Sequence, residues 1–359
     1  MNKPDQRLVI DGVGIGADEP TYFIADLAAN HDGSLERAKD LIHKAKDAGA
    51  NAAKFQHFKA EGIVSDFGFR ALGHKQSHQA SWNKSVFEVY KDASVSTDWT
   101  SELKKTCDEV GITFFTSPYD KDLVDHIDPY VPAYKIGSGD ITWTEIIRYI
   151  ASKNKPYFLA TGASSFEDVD RAVQAGLSIN SSIALLQCNT NYTGSLENMR
   201  HIKLNVLRTY RAMYPTMVLG LSDHTPGHST VLGAVALGAR IVEKHFTDDR
   251  SRNGPDHLFS MDPRDWAEMV DRTRELEAAM GNGVKKVEEN EEKTVILQRR
   301  SLRFTKAKKA GEEITGEDLV PLRPCPADGL APYHLQDLIG CKMRIDRESG
   351  DYIRLSDLD

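Results

Sequence analysis

Cysteine is scarce in this 359-residue chain: Cys107, Cys188, Cys325 and Cys341 are widely spaced. That spacing offers no CxxC pair and no disulfide framework, so all four are expected to be reduced core or near-core thiols. Long apolar runs are missing too. The opening stretch MNKPDQRLVIDGVGIG has no signal-type hydrophobic region, and no segment is apolar for long enough to cross a bilayer. A cytoplasmic protein with no membrane partner is expected. Positive charge is in deficit, with 45 Lys+Arg against 53 Asp+Glu and a formal net charge of -8. That balance argues against sequence-independent nucleic-acid binding, which needs a basic surface to displace counterions, but it leaves room for a local pocket for a small anion. A Gly-rich Walker loop is also absent, so a mononucleotide cradle is not expected.

What the chain does contain is alternation. Up to about residue 280, short apolar runs alternate with segments of helical period, the pattern of parallel strands joined by crossover helices. The runs TYFIADLAA, NAAKFQHF, ITFFTS, AYKIGS, PYFLAT, IALLQCN, VLGLSDHT and RIVEKHF make eight candidate strands, each followed by a candidate helix. Eight βα units in this length specify a (β/α)8 TIM barrel. In the first helix, Ser34 can cap the N-terminus, Leu35, Ala38, Leu41, Ile42 and Ala45 recur at helical spacing, and Gly49 suits a left-handed C-terminal position. The barrel is expected to occupy residues 1–282, a charged linker or exposed helix 283–298, and a small β-rich domain 299–359. The connection 59–96 is unusually long. It is expected to be a packed surface insertion, with a ligand-binding wall carrying His74, His78 and Trp82 as the alternative.

Active sites of such barrels lie at the C-terminal ends of the strands, and those ends are rich in polar residues here. Lys54 and Lys135, with Thr116, Ser117, Ser138 and Ser222, supply the ammonium and hydroxyl groups that a phosphate or carboxylate needs. His224 and His245 close the seventh and eighth strands. A lone histidine there is more often structural, but a pair on adjacent strand ends can share a divalent metal and leave positions open to substrate. Asp26, Gln56, Tyr192 and Asp256 could hold sugar hydroxyls. Asp248 and Asp249 are expected in a surface ion-pair cluster, within a mostly solvated loop TDDRSRN.

The motifs FIADLAANHDGSLERAKDLIHKAKDAGANAAKFQ, YKIGSGD, ATGASS, GLSDHT, GARIVEKHFTDDR and GPDH resemble, in order and spacing, those of the sialic acid (N-acetylneuraminate) synthases. The tail, RRSLRFTKAKKAGEEITGEDLVPLRP with LIGCKMRIDRESGDYI, resembles their antifreeze-like (SAF) domain. The resemblance implies metal-dependent condensation, with Mn2+ or Mg2+, of phosphoenolpyruvate with an open-chain N-acyl amino sugar. The acceptor would be N-acetylmannosamine or a 2,4-diacetamido-2,4,6-trideoxyhexose, and the product a nonulosonic acid for surface polysaccharides. Residue by residue, it assigns His224 and His245 to the metal, and Lys54, Thr116, Lys135, Ser138 and Ser222 to phosphoenolpyruvate. Asp26, Gln56, Tyr192 and Asp256 fall to the sugar and Arg323 to its N-acyl group, with Asp26, His224 and His245 as the catalytic set. It also implies a domain-swapped homodimer in which Arg323 acts on the partner's barrel. Departures from the family pattern are Asp26 in place of Glu, Ala28 in place of Gly, and Ala160 in place of a phosphate-contacting Ser. Two other readings stay open: a Schiff-base aldolase using Lys54 or Lys135, and a non-catalytic carbohydrate-binding protein.

Overall fold

The computed structural model describes residues 3–72, 79 and 82–359, and the chain forms two compact units, Met1–Gly281 and Asn282–Asp359. His74 and His78 lie outside the described residues. The first unit begins with an antiparallel hairpin, β1 (Arg7–Ile10) and β2 (Val13–Gly16). Asp11 and Gly12 turn it with φ values of 47° and 78°, the left-handed pair that a tight hairpin turn requires.

Eight parallel strands follow: β3 (Tyr22–Asp26), β4 (Ala52–His57), β5 (Thr113–Pro118), β6 (Tyr134–Ile136), β7 (Tyr157–Ala160), β8 (Ile183–Cys188), β9 (Val218–Asp223) and β10 (Ile241–His245). β10 returns to pair with β3, and β5 lies against β6, so the sheet closes into a TIM barrel. Helix α1 (Leu35–Asp47) follows β3, and Ser34 caps it by accepting from the Arg37 N–H. Between β4 and β5 run α2 (Ala60–Ile63), α3 (Asp66–Ala71), α4 (Val86–Ala93) and α5 (Thr100–Val110). The remaining strands are followed in turn by α6 (Lys121–Ile127), α7 (Thr144–Ala151), α8 (Phe166–Leu177), α9 (Val206–Met213), α10 (Ser229–Ala236) and α11 (Pro263–Met280).

Because strand side chains alternate, each barrel strand feeds two separate cores. Outward-facing residues such as Phe23, Phe55, Phe114, Leu159, Leu185, Leu219 and Val242 pack under the helices with Trp266 and Ile147. Inward-facing Tyr22, Ile24, Ala52, Phe115, Ala133, Phe158, Leu186 and Ile241 fill the barrel, and Leu8, Ile10 and Ile15 of the hairpin join them. Each fully buried apolar side chain of this size contributes roughly 1.5–3 kcal/mol. The apolar filling ends two to five residues short of the strand C-termini, and mostly polar groups take over from there.

In the second unit β11 (Ser301–Phe304) pairs antiparallel with β12 (Leu319–Leu322) after the exposed helix α12 (Glu292–Gln298). Leu302, Phe304, Ile314, Leu338, Met343 and Ile353 form its core. Buried Asp318 accepts from Lys308 Nζ at 2.7 Å. Among the described residues, no helix is long and apolar enough to cross a membrane.

Candidate active site

The inward-facing residues at the strand ends line a cavity of about 430 Å3. β3 contributes Asp26, β4 Lys54 and Gln56, β5 Ser117, β6 Lys135, β8 Cys188, β9 Ser222, and β10 Glu243 and His245. Ser138, Tyr192, His224 and Asp256 enter from the loops that follow. Of the barrel residues assigned from sequence, all but Thr116 therefore converge on one space.

Thr116 is a correction. It is fully buried on the outer face of β5, where its hydroxyl lies 2.8 Å from His57 Nδ1 and 3.0 Å from the Phe55 carbonyl. Its neighbour Ser117 faces inward, and the buried Ser117 Oγ has no hydrogen-bond partner. A shift of one residue along a strand exchanges faces. Lys244, Asp223 and Gln187 also end strands but serve the outer layer. Lys244 Nζ donates to Asp223 at 2.5 Å, and Gln187 donates to the Ile202 carbonyl.

Charge inside the barrel is tightly paired. Lys54 Nζ donates to Asp26 Oδ2 at 2.6 Å and lies 3.9 Å from Glu243 Oε1, which Lys135 Nζ approaches to 3.1 Å. Burial pulls the Lys54 ammonium down, but Asp26 and Glu243 together lift it above its ordinary value. Ser222 Oγ donates to the same Glu243 oxygen, while the buried Oε2 has no partner. Glu243 is a strand-end polar residue to which the sequence reading gave no role, although it faces the cavity. Its apolar-flanked position in RIVEKHF reads as part of a strand, and only the inward direction marks it.

His224 and His245 stand with ring centroids 5.4 Å apart, and Tyr192 meets His224 edge-on at 4.5 Å. Burial, reinforced by the charges of His224 and Lys54, drives His245 well below the usual histidine range, so its imidazole is neutral. Its Nδ1 is buried without a hydrogen-bond partner. A neutral imidazole with a free ring nitrogen beside a second histidine is the donor chemistry a divalent ion takes. The pair could provide two ligands. Among the described residues, no three His, Cys, Asp or Glu side chains form a metal-holding cluster.

Asp256 closes the mouth, with Oδ2 accepting from the Ala29 N–H at 3.2 Å and lying 3.9 Å from His245 Nδ1. Burial pushes its carboxyl up to about 6. Ala28, two residues past Asp26, takes a left-handed φ of 40°, so the turn after β3 holds an alanine where glycine is the unstrained choice. Arg323 belongs to the second unit, where it is exposed and its Nε donates to the Gln298 carbonyl at 2.6 Å.

Cys188 is the free, buried thiol expected from sequence, and it also lines the cavity. Burial raises this thiol, but His224 draws it below its usual range. Another expectation changes. The 59–96 connection is not a surface insertion, because Ile63, Trp82, Val89 and Tyr90 form one wall of the cavity. The loop after β10 is mostly exposed, as expected, and Asp248 takes its expected ion pair. Arg37 binds Asp248, Arg252 binds Asp32 and Arg250 binds Asp262, so the loop is tied to its neighbours and Asp256 is held at the mouth.

This barrel, with an ion-paired polar floor and a histidine pair at the C-terminal strand ends, has the layout of an anion-handling enzyme site. The NeuB family profile matches residues 41–285, and the chain belongs to that family. It is 33% identical over 93% of its length to the N,N'-diacetyllegionaminic acid synthase of Legionella pneumophila, of which it covers 94%. With the human N-acetylneuraminate-9-phosphate synthase it shares 30% identity over 95% of its length and 94% of the relative. The crystal structure of the N-acetylneuraminic acid synthetase of Leptospira borgpetersenii superposes with a TM-score of 0.71 at 27% identity, covering 82% of this chain and 97% of that one.

Proposed function

We propose that the chain condenses phosphoenolpyruvate with an open-chain N-acyl amino sugar and water, releasing phosphate and forming a nonulosonic acid for surface polysaccharide synthesis. The observation that carries this reading is the convergence of Lys54 and Lys135 on Glu243, beside the His224–His245 pair, in one cavity.

Lys54 and Lys135 neutralise the carboxylate and phosphate of phosphoenolpyruvate, and Ser117, Ser138 and Ser222 donate to the remaining oxygens. Asp26, Gln56, Tyr192 and Asp256 hold the hydroxyls of the acceptor and aim its aldehyde at C3 of phosphoenolpyruvate. His224 and His245 would hold Mn2+ or Mg2+, which would supply Lewis-acid polarisation of that aldehyde. As the C3–C1 bond forms, cationic character develops at C2, where the carboxylates of Asp26 and Glu243 stabilise it. Glu243 Oε2, the unpartnered acceptor, takes a proton from the water that adds at C2, and the C–O bond to phosphate then breaks. We further propose that the 299–359 segment is an antifreeze-like domain and that it completes the partner's site in a homodimer through Arg323.

Lys54 is a poor candidate for imine chemistry, because its pKa is raised, whereas a nucleophilic lysine needs it lowered. The test is phosphate release from phosphoenolpyruvate with and without an N-acyl mannosamine-type sugar and Mn2+. Release that needs both sugar and metal, with no borohydride capture on lysine, is expected. Sugar-independent release, or a reduced covalent adduct on Lys54 or Lys135, overturns the reading.

A further inference from the structure

The cavity is chemically divided. Both of its lysines, Lys54 and Lys135, lie at the barrel floor, and each is in contact with a carboxylate there. No arginine and no third lysine is among the described residues that line the cavity. Among the described residues, the side built by the β4–α5 connection is mostly apolar and aromatic: Ile63, Trp82, Val89 and Tyr90, with Gln79 as its polar member, together with Tyr119 from the loop after β5. Phe58 braces this wall from within, 5.5 Å from the Tyr90 ring and 5.9 Å from the Tyr119 ring.

The charged groups on this side are carboxylates. Asp140 and Asp256 line the same space, and both act electrostatically on Tyr90. Burial pushes the Asp140 carboxyl up to about 6, the response of an anion with little cationic compensation. A dianionic group placed here would lose its hydration and face two carboxylates and, among the described lining residues, would have no lysine or arginine other than the carboxylate-paired Lys54 and Lys135. A methyl group would be desolvated by the wall at a gain of about 25 cal/mol per Å2.

Resting on the condensation reading, we infer that the β4–α5 wall selects the acceptor at the end remote from its aldehyde. It takes an uncharged sugar with an apolar, deoxygenated terminus and rejects a sugar phosphate. Family membership leaves that choice open, since one relative is named for a phosphorylated product and another for a diacetylated acid without phosphate in its name. Ile63, Trp82, Val89 and Tyr90 are the specificity-determining residues.

The experiment compares kcat/KM of the full chain, with phosphoenolpyruvate and Mn2+, for N-acetylmannosamine, its 6-deoxy analogue and its 6-phosphate. The 6-deoxy sugar is expected to exceed N-acetylmannosamine by at least roughly 10-fold, the discrimination a pocket obtains from one small group. The 6-phosphate is expected to fall below both. Val89→Thr, which keeps the side-chain shape and adds a hydroxyl to the wall, should narrow the deoxy-to-hydroxy ratio while leaving KM for phosphoenolpyruvate unchanged. Equal or better use of the 6-phosphate, or of N-acetylmannosamine over its 6-deoxy analogue, overturns the selection and leaves the condensation reading standing. Phosphate release with none of the three sugars, nor with a 2,4-diacetamido-2,4,6-trideoxyhexose, removes both.

Discussion

Lys135 and Glu243 meet across the axis of the barrel. They come from β6 and β10, four strands apart around an eight-strand ring, yet Nζ and Oε1 are 3.1 Å apart. Such a pair is a latent anion site, since an incoming carboxylate or phosphate can replace Glu243 as the partner of Lys135. Lys135→Met should therefore raise KM for phosphoenolpyruvate by about 10–100-fold, the equivalent of one charge-assisted contact. It should also destabilise the barrel, because a buried carboxylate loses a cation. Adding Glu243→Gln should restore the urea midpoint without restoring the KM. Recovery of both, or of neither, contradicts this account.

Ser117 and Thr116 separate binding from stability. Ser117→Ala should weaken phosphoenolpyruvate binding several-fold at an unchanged melting temperature, because its hydroxyl has no partner within the protein. Thr116→Val should do the reverse. It leaves the buried His57 Nδ1 without its 2.8 Å partner, at a cost of about 1–3 kcal/mol, with KM unaltered. Steady-state kinetics and thermal unfolding of the two variants decide the assignment.

The outer layer holds histidines that burial keeps neutral. Burial, aided by the charges of His126 and His31, lowers His57 to about 3, and burial lowers His31 to about 4. The unfolded chain binds these protons near pH 6.5, so the stability they contribute is complete above that pH and is lost as pH falls toward the folded values. Asp140 and Asp256, raised to about 6, act in the opposite sense between roughly pH 6 and 4. A variant difference isolates one group. The stability deficit of His57→Gln relative to wild type should shrink between pH 7.5 and 4.5, by up to about 1.4 kcal/mol per pH unit. An equal deficit at both pH values in urea titrations would show that His57 is not held neutral.

Shared sites can be tested by mixing. His245→Ala and Arg323→Ala should each be nearly inactive alone. If Arg323 serves the partner's barrel, subunit exchange should return up to about a quarter of wild-type activity, since half the molecules become heterodimers with one intact site each. No recovery after verified exchange would place Arg323 in its own chain's site or outside catalysis.

Much of this architecture was legible before folding was considered. Eight apolar runs with intervening helical periods specify the barrel, and the polar residues that end those runs mark its active face. The N-terminal hairpin went unread although its signal was present, an Asp11-Gly12 turn between the alternating residues of RLVI and VGIG. Residue type placed Thr116 and Ser117 together and the family resemblance singled out Thr116, while the apolar run ITFFTS does not reveal its phase. Cys188 read as core because thiol burial is common, and the cavity it faces is assembled from seven of the eight strands and several of their loops.

Periodicity and residue type, which are local, determined the fold class and the chemical inventory at the strand ends. Only the tertiary structure decided which of those groups face each other. Direction along a strand flips with every residue, so a single phase error exchanges cavity for outer core. The pairing of Lys135 with Glu243 joins segments brought together by barrel closure, and no sequence window contains both sides of that contact.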